Sequence, residues 1–215
     1  MIAKTCIRVG ITQRVEAHMS VDERRDSLDQ EWTRLVCQLG HLPIPLGNGL
    51  SDLEFFITEM ELSAILLTGG NDTADQIGAE NVTPERDKAE KVILGVCEQL
   101  RMPVLGVCRG FQMINSYLGG HSIPVSGHVR NNHQINDASG QIAFSEVNSF
   151  HNFGITMETL APGLDPRYFS KDGTVEGALS KTLPWMGIMW HPERTIADRK
   201  LHLDIVNHAL LGTFE

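Results

Sequence analysis

The chain has 215 residues, of which 41% are hydrophobic, and this length and composition suffice for one well-buried core. We therefore expect a single domain over residues 1–215. The formal net charge of −9 disfavours nucleic acid or an anionic membrane surface as the main partner, because both require an excess of Lys and Arg. No apolar run is long enough to span a membrane, and the amino-terminal apolar segment is too short for a secretory signal. We expect a cytoplasmic protein that binds a small molecule, and the sequence leaves open whether it forms a homo-oligomer.

The sequence contains no pattern of metal ligands. Its four cysteines, which lack C-x-x-C spacing, are Cys6, Cys37, Cys97 and Cys108. In a reducing compartment all four remain thiols, and the first three lie within apolar patterns, so we expect those three to fill the core. His121, His128 and His133 are too loosely spaced to indicate a metal site. We therefore expect neither a metal nor a cofactor.

Short apolar runs alternate with helical patterns through the first half of the chain. They predict strands over residues 7–11, 42–46, 64–67 and 104–107, and helices over residues 23–40, 53–61, 85–101 and 110–118. Beyond Gly120 the pattern loosens, with strands expected over residues 141–147, 173–179 and 185–190 and a last helix over residues 196–211 that ends at Gly212. Alternating strands and helices imply crossover connections. The sequence therefore predicts an α/β three-layer sandwich with a mostly parallel, flavodoxin-like central sheet.

The first predicted helix has a clear apolar face and two end signals. Its apolar face is formed by Leu28, Trp32, Leu35, Val36 and Leu39. Ser20 and Glu23 have the spacing of a capping box, and Gly40 is a typical stop. These signals favour a helix that begins at residue 23.

Cys108 lies between two glycines where an apolar strand ends and a helical pattern begins. Gly106 and Gly110 make room for a sharp turn, the thiol counterpart of the elbow that exposes a nucleophile between strand and helix. The N-terminus of the following helix presents unpaired N–H groups and a dipole that favour the thiolate. Alone, the motif is more typical of a buried structural cysteine.

A thiolate nucleophile needs a base, and the sequence Trp-His-Pro-Glu at 190–193 offers one. Pro192 favours an extended conformation at His191, and in an extended chain residues two apart face the same side. His191 and Glu193 can therefore pair, with Glu193 orienting the imidazole that faces Cys108. Taken alone, this motif is more typical of a surface loop, and it is the combination with the Cys108 motif in one α/β chain that favours a catalytic pair.

The sequence TGGND at 68–72 follows another predicted strand. Its glycines let a backbone N–H approach a bound carbonyl oxygen, and the N–H groups of Gly70 and Arg109 could form an oxyanion hole. A plain turn in which Asn71 or Asp72 caps a helix is the alternative.

The motifs TGGND, GVCRGFQ and WHPE, in this order, resemble those of the class I glutamine amidotransferases and the related γ-glutamyl hydrolases. The resemblance implies a Cys108, His191 and Glu193 triad, an oxyanion hole at Gly70 and Arg109, and no cofactor. It also implies that the glutamyl group is held by Gln112 and by the stretch that matches the family's V-N-S-x-H pattern. That stretch comprises Asn148, Ser149, Phe150 and His151.

The implied reaction is hydrolysis of a γ-glutamyl amide-type C–N bond through a γ-glutamyl thioester. GITQR, RRDSLDQEW and LGHLPIPL resemble a bacterial branch that hydrolyses γ-glutamyl-CDP-amidate in capsule phosphoramidate synthesis. The chain ends shortly after the last predicted helix, so we expect a freestanding enzyme. A general γ-glutamyl amine hydrolase and a glutaminase subunit that feeds a separate synthase stay open, as does a non-enzymatic binding or redox-sensing protein of this fold.

Several basic residues could hold a diphosphate. Arg14 follows the first strand on the side where the site should open, and we expect it to contact substrate. Further candidates are Arg24, Arg25, His128, Arg130 and His133. For any one of them, a solvated surface charge is the simpler interpretation. No phosphate-binding G-x-x-x-x-G-K-[ST] loop is present.

Overall fold

The computed structural model describes residues 6–194 and 197–214. The helices are α1 (Gln30–Gln38), α2 (Leu53–Glu59), α3 (Pro84–Leu100), α4 (Arg109–Tyr117) and α5 (Arg199–Leu211). The first six strands are β1 (Arg8–Thr12), β2 (Arg14–His18), β3 (Glu23–Ser27), β4 (Leu42–Leu46), β5 (Ala64–Leu67) and β6 (Val104–Val107). The other seven are β7 (Ile123–Pro124), β8 (Val129–Asp137), β9 (Ile142–Phe150), β10 (Phe153–Gly154), β11 (Leu164–Phe169), β12 (Val175–Ser180) and β13 (Trp185–Ile188). No helix in these ranges is long and apolar enough to cross a membrane.

A nine-stranded, mostly parallel sheet forms the middle layer, in the order β4-β1-β5-β6-β13-β12-β11-β8-β9. The first five strands are parallel, and β12, β11, β8 and β9 extend the sheet in antiparallel fashion. Every residue of β5, β6 and β13 is buried, because helices cover both faces of the sheet there. The carboxyl ends of these three strands meet at one edge, where the candidate site lies.

Two apolar clusters separate the sheet from its two helical layers. One cluster includes residues of α2, α3 and α4, such as Ile57, Ile93 and Phe111. The other includes residues of α1 and α5, such as Trp32 and Val206. The expected three-layer α/β sandwich is therefore confirmed.

The predicted helix over residues 23–40 is wrong in its first third. Glu23–Ser27 is instead β3, which pairs with β2 in an antiparallel hairpin. The segment is charged and exposed, so it has no apolar face that could hold a helix against the sheet. Helix α1 begins after Asp29, whose carboxylate accepts a 3.0 Å hydrogen bond from the Glu31 N–H, and the predicted capping box is not the start. The predicted stop at Gly40 is confirmed by its φ of 88°.

Two of the predicted core cysteines are exposed. Cys6 and Cys37 lie on the surface, and only Cys97 is buried as expected. Cys37 belongs to the apolar pattern of α1 but projects from its solvent side, between buried Val36 and Leu39.

The second half of the sheet was only partly predicted. Strands β9, β12 and β13 overlap the predicted ones, whereas β8 and β11 were missed. The sequence of β8, VRNNHQIND, is almost wholly polar, because much of this strand is exposed at the antiparallel end of the sheet. The predicted start of the last helix, residue 196, lies outside the described residues.

Candidate active site

Cys108 occupies a strained elbow between β6 and α4. Its φ of 54° and ψ of −110° are unfavourable for a residue with a side chain, and such strain concentrates at functional sites. Its N–H donates a 2.8 Å hydrogen bond to the carbonyl of Ile188, which ties the elbow to β13. A Cβ on Gly106 would lie 2.5 Å from the Gly110 carbonyl oxygen, and one on Gly110 would collide with the Leu67 carbonyl. Both glycines are therefore required for the turn.

His191 follows β13 and faces the same edge of the sheet. Its Nδ1 lies 2.7 Å from Oε1 of Glu193, and both side chains are buried. Asn148 fixes the backbone of His191, since its Oδ1 accepts from the His191 N–H and its Nδ2 donates to the His191 carbonyl, each at 2.9 Å. The backbone of this turn is thus held from β9, which the sequence alone did not reveal.

The electrostatics of His191 favour its charged form. Burial alone would lower the pKa of His191, but the Glu193 carboxylate and the nearby Cys108 thiol raise it to about 9. At neutral pH the imidazole therefore carries a proton in the resting site.

The Gly69 and Gly70 loop lies against both groups. A Cβ on Gly69 would lie 2.7 Å from Cε1 of His191 and 3.5 Å from Cβ of Cys108. Gly70 has a φ of 82°, which favours glycine, and the aliphatic part of Arg14 packs over it. The loop can approach a bound carbonyl closely because neither residue has a side chain.

A buried network of four charges supports this loop, and sequence reasoning missed it. Arg86 donates to the carbonyls of Thr68 at 2.7 Å, Gly69 at 3.1 Å and Gly70 at 2.5 Å. It also pairs with Glu90 at 2.9 Å. Glu90 pairs in turn with Arg109, the residue that follows Cys108, and Asp87 completes the network from α3. The signal was present in the sequence as charges on the otherwise apolar face of α3.

A cavity of about 130 Å³ opens over Cys108. Its lining includes Arg14, Trp32, Phe150, His191 and Arg194. The Arg194 guanidinium stacks 4.1 Å above the Phe150 ring. The cavity is therefore lined by two arginines, Arg14 and Arg194. A larger cavity of about 620 Å³, lined by Tyr168 and Phe214 among others, shares none of these residues.

Five residues were expected to hold the glutamyl group, and four of them do not line this cavity. Only Phe150 lines the cavity, with its ring edge-on to His191. Gln112 is buried, accepts from Gln76 and donates to the Phe153 carbonyl at 2.7 Å. Ser149 donates to the carbonyl of His128 at 2.7 Å. The His151 ring bonds the Phe153 carbonyl at 3.0 Å.

The remaining basic candidates lie outside this cavity. Arg24 and Arg25 belong to β3 rather than to a helix, and each makes an exposed ion pair, with Glu85 and Glu23 respectively. Arg130 is exposed on β8. His128 and His133 face the carboxylate of Glu176. Arg14 is therefore the one predicted diphosphate-binding residue that lines the cavity with Cys108.

The family model described as Peptidase C26 matches residues 8–193. The chain belongs to the Peptidase C26 family. This assignment makes it a member of the class I glutamine amidotransferase-like proteins and supports a hydrolase. It also agrees with the resemblance carried by the TGGND, GVCRGFQ and WHPE motifs.

Individual relatives agree with the family assignment. The chain is 34% identical over 194 residues to the γ-glutamyl-CDP-amidate hydrolase of Campylobacter jejuni subsp. jejuni serotype O:2, covering 86% of this chain and 90% of that protein. It is 30% identical over 141 residues to the carbamoyl phosphate synthase small chain of Symbiobacterium thermophilum, covering 64% of this chain but 36% of that one. Its fold matches a glutamine amidotransferase from Thermotoga maritima with a TM-score of 0.62 at 17% identity, covering 97% and 96% of the two chains.

Proposed function

We propose that the protein is a cysteine-nucleophile hydrolase that cleaves a γ-glutamyl amide-type C–N bond and releases glutamate. The observation that carries the proposal is the juxtaposition of Cys108, in its strained elbow, with the His191 and Glu193 pair at one edge of the sheet. Membership of the Peptidase C26 family supports the same reaction class.

The reaction begins with attack of the Cys108 thiolate on the γ-carbonyl carbon. The backbone N–H groups of Gly70 and Arg109 stabilise the oxyanion, and each such donor is typically worth about a hundredfold or more in rate. Protonated His191 gives its proton to the departing nitrogen, so that a γ-glutamyl thioester remains. His191, oriented by Glu193, then takes a proton from water, the hydroxide attacks the thioester, and glutamate leaves as the thiolate is restored.

The glutamyl end of the substrate is assigned to Gln112 and to residues 148–151, as the family resemblance implies. Phe150 borders the cavity, and Asn148 holds the backbone of His191. In this proposal Ser149 and His151 act mainly by fixing this segment, because their side chains bond to neighbouring backbone.

The proposed substrate is γ-glutamyl-CDP-amidate, and the proposed role is capsule phosphoramidate biosynthesis. The name of the Campylobacter relative, to which the chain is similar along most of its length, supports this choice. So do Arg14 and Arg194 at the opening, since guanidinium groups suit paired phosphate oxygens. The Arg14 side chain is 48% exposed, and among the described residues it pairs with the partly exposed Glu16, so it is accessible to a diphosphate.

A glutaminase subunit that supplies ammonia to a separate synthase is the second candidate. It is favoured by the similarity to a carbamoyl phosphate synthase small chain. In that case the same cysteine chemistry would act on glutamine and would depend on a partner protein.

The test is glutamate release by the purified chain from glutamine, simple γ-glutamyl amines and γ-glutamyl-CDP-amidate, assayed side by side. We expect a strong preference for the nucleotide compound. Preference for simple γ-glutamyl amines would refute the nucleotide substrate and indicate a general γ-glutamyl hydrolase. Glutamate release that appears only when a synthase is added would favour the glutaminase subunit.

Two variants separate the chemistry from the substrate choice. Cys108→Ala should abolish turnover while the fold is retained, whereas Cys37→Ala, at an exposed cysteine, should leave turnover unchanged. Arg14→Ala should raise KM for the nucleotide compound far more than for glutamine, and Arg34→Ala, on the surface of α1, is its control. Turnover by Cys108→Ala would refute the thioester mechanism.

A further inference from the structure

Three buried side chains that the proposed reaction does not use meet in the antiparallel half of the sheet. His128 precedes β8, His151 follows β9, and Glu176 lies on β12. They are 3%, 4% and 1% exposed. One ligand atom from each of the three lies within 4.8 Å of the others, although the residues are far apart in the sequence. This cluster was not predicted because only the fold brings its members together.

The distances within the cluster are too long for hydrogen bonds but fit a shared metal ion. Oε1 of Glu176 lies 3.5 Å from Nδ1 of His128 and 3.7 Å from Nε2 of His151. Hydrogen bonds between such atoms are typically about 2.7–3.2 Å. Two ligands of one tetrahedral zinc ion, each about 2.1 Å from the metal, are separated by about 3.4 Å.

The outer nitrogen of each imidazole is already occupied. Nε2 of His128 lies 2.8 Å from a carboxylate oxygen of Asp172, and Nδ1 of His151 lies 3.0 Å from the carbonyl of Phe153. Each of these nitrogens therefore donates its N–H, and the inner nitrogen keeps a free lone pair. A carboxylate or a backbone carbonyl behind the imidazole is the usual support of a metal-binding histidine.

Four buried side-chain atoms in and beside the cluster have no hydrogen-bond partner among the described residues. They are Nδ1 of His128, Nε2 of His133, Nε2 of His151 and Oε2 of Glu176. Leaving several buried polar atoms unpaired is costly. Oε1 of Glu176, which faces His128 and His151, accepts a hydrogen bond from Oγ1 of Thr174 at 3.1 Å and keeps a second lone pair that could bind a metal. Nε2 of His133 lies 3.7 Å from Oε2 of Glu176, next to the position that a fourth ligand would take.

We propose that His128, His151 and Glu176 bind one divalent transition-metal ion with the ligand preference of Zn²⁺, and that His133 is placed to complete the site. The imidazole and carboxylate donors suit this class of metal. The ion would join the ends of β8 and β9 to β12. Since Asn148 of β9 clamps His191, the site would stabilise the segment that holds the candidate base, without taking part in the reaction.

The test is metal binding by the purified full chain, first stripped with a chelator and then titrated with Co²⁺ and Zn²⁺. We expect one Co²⁺ per chain, with the visible absorption of a low-coordinate site, displacement of Co²⁺ by Zn²⁺, and a higher Tm with Zn²⁺. Failure of the wild-type chain to bind one metal ion would overturn the proposal whatever the variants do.

Variants identify the ligands. Glu176→Gln should abolish stoichiometric binding, and His121→Gln, an exposed histidine outside the cluster, should bind as the wild type does. Asp172→Asn, at a half-exposed side chain whose change the fold should tolerate, should weaken binding about 10–100-fold through His128. Unchanged affinity in both Glu176→Gln and Asp172→Asn would refute the assigned ligands. The readout is metal content rather than turnover, so it is independent of the proposed function.

Discussion

Replacing Glu90 with Gln should show how strongly the buried charge network stabilises the fold. Glu90 and Arg86 have fully buried side chains, Arg109 is 1% exposed and Asp87 is 8% exposed. The network contains two guanidinium groups and two carboxylates. Glu90→Gln keeps the shape of the side chain but leaves two buried positive charges against one negative charge.

The expected loss follows from this imbalance. Removing one partner of a buried ion pair costs about 3–5 kcal/mol, because the remaining charge is buried without compensation. For a domain of this size, each kcal/mol lowers Tm by about 2–4 °C, so the expected fall is roughly 6–20 °C. The matched control is Glu85→Gln on the same helix, whose pairing with Arg24 is exposed and should contribute about 1 kcal/mol or less.

The assay combines thermal unfolding with turnover measured well below both melting temperatures. Glu90 positions Arg86, which in turn binds the carbonyls of Gly69 and Gly70 in the candidate oxyanion loop. Loss of the Glu90 charge should therefore also lower kcat, by up to about a hundredfold if the proposed oxyanion donor is misplaced. If Glu90→Gln lowers Tm no more than Glu85→Gln, the network is not a major source of stability and the reasoning fails.

The dependence on pH gives a second check on the same variant. Burial would raise the pKa of Glu90, but Arg109 and Arg86 hold it below its ordinary value. A carboxylate with a lowered pKa stabilises the folded state above its unfolded pKa of about 4.3, and this contribution is lost as the pH falls through the folded pKa. The Tm difference between the wild type and Glu90→Gln should therefore shrink in acid.

Two further predictions concern the elbow and the base. Glu193→Gln should move the pKa of His191 from about 9 towards about 6.5, as followed by NMR of the imidazole, and an unchanged value would disprove the pairing effect. A histidine whose pKa is raised on folding stabilises the folded state fully below pH about 6.5, and this stabilisation is lost as the pH rises through about 9. Between these pH values the free energy of unfolding of the wild type should therefore fall more than that of Glu193→Gln. Gly110→Ala should cost about 1–3 kcal/mol through its collision with the Leu67 carbonyl, whereas Gly163→Ala meets open space. Equal Tm values for the two alanine variants would contradict the steric argument.

The parallel half of the fold was predictable because its signals are local. Strands β5 and β6 are continuous apolar runs, and both were predicted with the bounds that the structure has. The glycines around Cys108 indicated a sharp turn, and the structure gives the steric reason for both of them. The hairpin of β2 and β3 was missed because the charged segment Glu23–Ser27 contains residues that favour helices and follows a capping pattern. The choice between helix and strand depends on packing, which such a local pattern does not contain.

What could not be predicted depends on contacts between distant parts of the chain. Asn148 clamps His191 across 43 positions, and Arg86 reaches the Gly69 carbonyl across 17. Asn148 and Arg86 are polar, so a sequence pattern predicts that they lie on the surface, whereas both are buried. A buried polar group needs a hydrogen-bond partner, and the partner here is the backbone of the candidate base or of the candidate oxyanion loop. The same reasoning makes Glu176 informative, since it is buried with an oxygen that no described residue satisfies.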